Sequence, residues 1–254
     1  MTKIMNGDLY RFAKSKLFYG IIAAAGVIAL ALVVLARQDI RLGISVFGSL
    51  TAFRGIDDMV RIGVQYQKGL GIFLAVLISV FIGQEYAWKT WQHKWLTSKN
   101  RVSIYLSKAV LSAAVSVLLF LFFEAVVLLC SGRAGAILTG DYIAMTLGGC
   151  FMYAALGSVL CMLSMLIRSN VASAVVCLGY VLFSESLGSL IKTVGGMTDA
   201  TAKISEWIAG HTIHGMSVIL CGASVSILPV LCNAVVIMAL ATVTGMLFFR
   251  KYEL

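Results

Sequence analysis

Six long apolar runs separated by short polar stretches dominate the chain, at 18–36, 62–83, 109–130, 143–167, 171–191 and 225–249. Each approaches or exceeds the roughly 20 mostly apolar residues that a helix needs to cross the hydrocarbon core. The second run is the weakest because Lys68 interrupts it, and a lysine near an interface can carry its ammonium outward along its flexible stem. None of the runs alternates apolar and polar positions in the manner of membrane-barrel strands. The pattern therefore predicts an all-α integral membrane fold, a single transmembrane domain over residues 1–254 with six spans.

The stretches between the runs carry patterns of their own. Over residues 3–14, a helical wheel puts Met5, Leu9 and Phe12 on one stripe and Lys3, Arg11 and Lys14 opposite, which predicts an amphipathic helix lying in the membrane interface. Within the 84–108 loop, Trp88, Trp91 and Trp95 stand at i, i+3 and i+7, with Thr90, His93 and Lys94 on the other side. An interfacial aromatic belt accounts for tryptophans alone. A helix-length excursion of mixed charge predicts instead a short helix docked against both membrane and partner, with Glu85 and Arg101 at its polar boundaries. Residues 192–216 carry Gly195, Gly196 and Gly210 as breakers and Trp207 as an interfacial anchor.

Composition excludes a soluble fold: 60% of the 254 residues are hydrophobic and 12% charged, against about a quarter charged in an ordinary soluble protein. Twelve Lys and Arg fall on the side holding both termini and the 84–108 loop, and eight on the other, so both termini are expected in the cytoplasm. The net charge of +9 then describes a basic inner face suited to anionic lipid or an acidic partner rather than to nucleic acid. The six cysteines form no C-x-x-C and read as apolar fillers; the first 17 residues are too polar for a signal-peptide core, so the first run stays as a span. His211 and His214 beside Glu206 lack a clear third ligand, so no metal is expected. The small residues Ala154, Gly157 and Ser158 offer a face for close helix packing.

Two acids lie well inside spans. Glu124 and Glu185 sit 15 and 14 residues from the inner starts of their runs, or about 22 Å at 1.5 Å per residue, which places both in the outer half of the bilayer. An intramembrane carboxylate is costly and marks a possible translocation path, unless a helix neighbour neutralises it.

The 84–108 stretch also resembles a known motif. Glu85-Tyr86 close the second span; Leu96, Thr97-Ser98, Arg101 and Lys108 follow at the spacing found in the ABC type-2 permease family, the membrane subunits of ABC exporters. Lys89-Thr90 stand where the family usually has Gly-Thr, and Lys99 where it often has Pro or Gly. Within that family the chain is similar to the small permeases of bacterial peptide exporters of the phenol-soluble-modulin and lantibiotic-immunity type.

The resemblance implies a permease subunit in the bacterial plasma membrane, and a re-entrant external hairpin before the last span. It makes Glu85, Tyr86, Trp88, Lys89, Thr90, Trp91, Trp95, Leu96 and Arg101 a coupling helix that meets a dimeric cytosolic ABC ATPase. A second permease copy, identical or paralogous, would line the path of an amphipathic peptide. The chain has no G-x-x-x-x-G-K-[ST], so ATP and magnesium are expected on the partner and no cofactor here. An ion-coupled secondary transporter using Glu124 and Glu185 is the alternative. A membrane-embedded enzyme is weaker, because H-E-x-x-H and G-x-S-x-G are both missing.

Overall fold

A computed structural model describes residues 2–37, 43–44, 51–52, 61–88, 90, 101–132, 134–195, 199–222 and 226–251. Its helices are α1 (Thr2–Ala13), α2 (Lys16–Arg37), α3 (Leu70–Ala87), α4 (Arg101–Ser131), α5 (Ala134–Ile137), α6 (Gly140–Ile167), α7 (Asn170–Gly195), α8 (Asp199–Gly210), α9 (Ile213–Leu220) and α10 (Ile227–Lys251). Among the described residues, the one strand pairing is a two-residue antiparallel contact of β1 (Gly43–Ile44) with β2 (Thr51–Ala52). Six helices, α2, α3, α4, α6, α7 and α10, are long and apolar enough to span a membrane.

Helices α3, α4 and α6 form the centre of the bundle, while α7 and α10 leave most of their residues outside. Lipid is as apolar as leucine, so helices in it associate by close packing at small residues. The contact between α4 and α6 turns on Gly157, where a Cβ would stand 2.7 Å from the Ser112 carbonyl oxygen and collide with Ser116 Oγ. Ser158, buried one residue on, turns its hydroxyl back on its own helix and donates to the Ala154 carbonyl at 2.9 Å. One turn or more toward the other end, Phe120 lies on Gly149 and stacks on Tyr153 at 4.7 Å between centroids. Tyr105 of α4 fits over Gly245 of α10 and donates to the Ala241 carbonyl at 3.2 Å. Arg168, in the left-handed region at φ 57°, ends α6 and lets the chain reverse directly into α7.

The ends of the spans differ from the run boundaries. Helix α3 begins at Leu70 rather than 62 and runs on through Glu85-Tyr86; α4 begins at Arg101 rather than 109, so Lys108 belongs to the helix. Residues 61–69 are a chain of turns with a 3-10 segment at Tyr66–Lys68, inserted between helix ends with Val64 and Tyr66 fully buried. Between α7 and α10 lie two short helices, α8 and α9. They meet at His211-Thr212, where the Thr212 hydroxyl caps α9 by accepting from the Gly215 amide at 3.0 Å. Gly195 is the last residue of α7 and Gly210 the last of α8, whereas Gly196 lies outside the described residues.

Candidate functional site

Helix α1 docks on the bundle by a face that apolarity alone does not reveal. Ile4, Asp8 and Phe12, spaced i, i+4 and i+8, are buried, while Leu9 is 54% exposed and Met5 half-buried. The stripe packed on the bundle is Ile4–Asp8–Phe12; of the apolar stripe Met5–Leu9–Phe12, Phe12 is buried there and Leu9 stays on the outer side. Arg11 is drawn inward as well, although the wheel put Arg11 on the polar side; its guanidinium lies 4.1 Å above the Phe81 ring and donates to the Phe81 carbonyl at 2.8 Å. Phe12 meets Phe81 edge-on at 4.9 Å and Phe18 at 4.6 Å. Lys14 stays exposed on the outer side, over the Tyr10 ring.

The reason Arg11 turns inward is Glu85, in the last turn of α3. Arg11 Nη1 is 2.7 Å from Glu85 Oε1, and Lys108 from the second turn of α4 binds the same oxygen. Lys108 also pairs with Asp8 at 2.8 Å, and its ammonium stands 4.7 Å from the Phe81 centroid. Two carboxylates and two cations thus balance around the Phe81 ring, with Glu85 and Lys108 wholly inaccessible to solvent. Glu85 is no boundary residue but the hub of the cluster. Desolvating charges is expensive, and the arrangement holds because each is met by an opposite charge within ion-pair distance. Removing one member strands a buried charge, so α1, α3 and α4 are tied together at this end of the bundle.

The segment that follows starts from that hub. Thr90 Oγ1 donates to the Glu85 carbonyl at 3.3 Å, and Trp88, 64% exposed, ends α3. The Tyr86 hydroxyl donates to the Met165 carbonyl at 3.2 Å, linking the foot of α3 to that of α6. Arg101 opens α4, half-buried. Lys89, Trp91, Trp95 and Leu96 lie outside the described residues, as do His93 and Lys94.

At the opposite end, the inserted segment 61–69 gathers both intramembrane acids. Glu124, 2% exposed, accepts from the Tyr142 hydroxyl at 3.2 Å through Oε2, while Oε1 has no hydrogen-bond partner and faces Gly63, whose missing Cβ would occupy its place. The fully buried Tyr153 donates to the Gly63 carbonyl at 2.6 Å. Glu185, half-buried on α7, interacts electrostatically with Tyr66 and Lys68. The two acids therefore flank one segment, Glu124 at Gly63 and Glu185 at Tyr66–Lys68. The histidines diverge: His211 stacks on Trp207 at 4.2 Å, while His214 Nδ1 lies 3.0 Å from the Gln67 side-chain nitrogen. Among the described residues, no three His, Cys, Asp or Glu come together as metal ligands would.

Sequence reasoning overlooked Asp8, Tyr142 and Tyr153. Asp8 had a signal: it is the one acid in α1, at the middle of an i, i+4, i+8 series whose other members are apolar. No protein-family model matches the chain, and no curated protein matches it.

Proposed function

We propose that the chain is the transmembrane permease subunit of an ATP-driven ABC exporter that moves amphipathic peptides or similar lipophilic compounds out of the bacterial cell or its membrane. The observation that carries the reading is the buried Asp8–Arg11–Glu85–Lys108 cluster, immediately before the tryptophan-rich 88–100 segment. A segment that receives the motion of a cytosolic ATPase needs a stiff joint to the spans behind it. A hub that binds α1, α3 and α4 by charge supplies one, because such pairs break only at high cost. In this reading both termini are cytoplasmic and α1 lies at the inner interface with Leu9 and Tyr10 toward lipid. ATP and magnesium bind the partner.

A second copy or paralogue completes the path. Helix α7 supports this: beside Glu185 it exposes Ser186, Ser189 and Thr193, whereas the exposed positions of α10 from Val235 to Phe248 are apolar. The test is affinity purification of the chain from its native membrane in mild detergent. A cytosolic ATPase should accompany it, and the complex should hydrolyse ATP while the chain alone binds no nucleotide. Tight ATP binding by the isolated chain would overturn the assignment. The second reading, an ion-coupled transporter, rests on the buried Glu124; it requires substrate movement driven by an ion gradient in liposomes lacking any ATPase.

A further inference from the structure

Segment 61–69 has the construction of an inserted plug. Irregular backbone at membrane depth is tolerated only where protein buries it or it lines a watery cavity, and this segment is held by side chains from several helices. Arg61 Nη1 donates to the Cys221 carbonyl at 2.7 Å and the Gly222 carbonyl at 3.3 Å, capping the end of α9 with a cation. Gln65 donates to Cys221 Sγ at 3.4 Å, and Gln67 meets His214. These contacts latch the plug to α9, which is itself packed on α6 where Leu220 lies over Gly148, and Tyr153 of α6 adds its own grip on Gly63.

Beneath the plug is a site of definite chemistry. Glu124 presents a buried carboxylate oxygen without a hydrogen-bond partner, close against Gly63, where a Cβ would collide with it. Around it stand the hydroxyl of Tyr142, the ring of Tyr153 stacked on Phe120, and the adjacent Phe123. A buried carboxylate oxygen beside aromatic side chains suits an organic cation, which gains a charge-assisted hydrogen bond there. Withdrawal of the plug would free the Tyr153 hydroxyl as well. We propose that residues 61–69 are a displaceable plug over a binding site for the cationic side chains of an amphipathic peptide, with Glu124 as the counter-charge. The proposal rests on the peptide-export reading for its ligand.

The test uses the purified full chain in lipid nanodiscs, with a lysine-rich amphipathic peptide and its succinylated copy as probes. The unmodified chain should prefer the lysine peptide by roughly tenfold or more, the scale of one charge-assisted hydrogen bond. Glu124→Gln, nearly isosteric, should erase the preference without loss of the folded chain. Gly63→Ala, whose methyl collides with Glu124 and unseats the plug, should raise affinity for the lysine peptide. A third variant carries Gln65→Cys with Cys221 as its only other thiol; bridging the two with a short methanethiosulfonate linker should abolish binding, and reduction should restore it. Equal binding of both peptides by the unmodified chain, an undiminished preference in Glu124→Gln, or unchanged binding in the bridged form would each overturn the proposal. ATPase association is measured separately, so failure of the exporter reading shows as a missing partner and not as a loss of this preference.

Discussion

Replacing Glu85 with Ala should unfasten one end of the bundle. The substitution removes the oxygen that Arg11 and Lys108 share, leaving two cations and the single acid Asp8. Arg11, whose side chain is 29% exposed, can turn to solvent; Lys108, with no exposure, cannot. Most of the penalty therefore falls on Lys108, tempered by its remaining pair with Asp8. Breaking a fully buried pair typically costs about 3–5 kcal/mol, and the lower half of that range fits here because one partner survives. At about 2–4 °C per kcal/mol for a chain of this size, the melting temperature should fall on the order of 10 °C. Pairing Glu85→Ala with Lys108→Met should recover part of the loss, since the double variant no longer buries an uncompensated ammonium. The assay is thermal unfolding of the detergent-purified single and double variants, followed by fluorescence-detected size exclusion. An unchanged melting temperature in Glu85→Ala, or strictly additive losses in the double variant, would refute the reasoning.

Gly157→Ala should destabilise by about 1–3 kcal/mol, because its methyl meets the Ser112 carbonyl across the α4–α6 contact; Gly179→Ala, with open space around it, should be neutral or slightly stabilising in the same melt. Trp91→Ala should leave ATP hydrolysis intact or raised in the reconstituted complex while transport falls; proportional losses in both, with subunits still associated, would leave the 88–100 segment no coupling role. A single cysteine at the exposed Lys203 should react with an impermeant maleimide added to intact cells. One placed at Trp88 should not, and the reverse pattern would invert the proposed orientation.

The helices were legible because a 20-residue apolar run in water has few alternatives, whatever its neighbours do. Their ends were not. The run 62–83 reads the same whether residues 62–66 continue a helix or are buried as irregular backbone, and the structure takes the second course below Gly69. Glu85 and Lys108 were visible as motif residues, but their burial was not, since it depends on two charges from α1. Arg11 shows why: a helical wheel sorts residues by affinity for water, whereas Arg11 turns inward for a carboxylate far along the chain. Glu124 and Glu185 were visible as acids inside apolar runs, yet nothing in their spacing showed that both would flank one inserted segment.

The charge hub also sets an order of events during synthesis. Arg11 is made 70 residues before the Phe81 carbonyl that it binds, and Lys108 comes 23 residues after Glu85. At about 5–20 residues per second, roughly 4–14 s pass before Arg11 can meet its first partner, and the fourth charge arrives later still. Helix α1 must spend that interval away from its final seat, with Asp8 and Arg11 hydrated at the membrane surface, while α2 and α3 insert. Docking of the oldest helix is thereby made conditional on arrival of the third span. The hub therefore closes last: a chain cut short before Lys108 lacks the cation that Asp8 and Glu85 share.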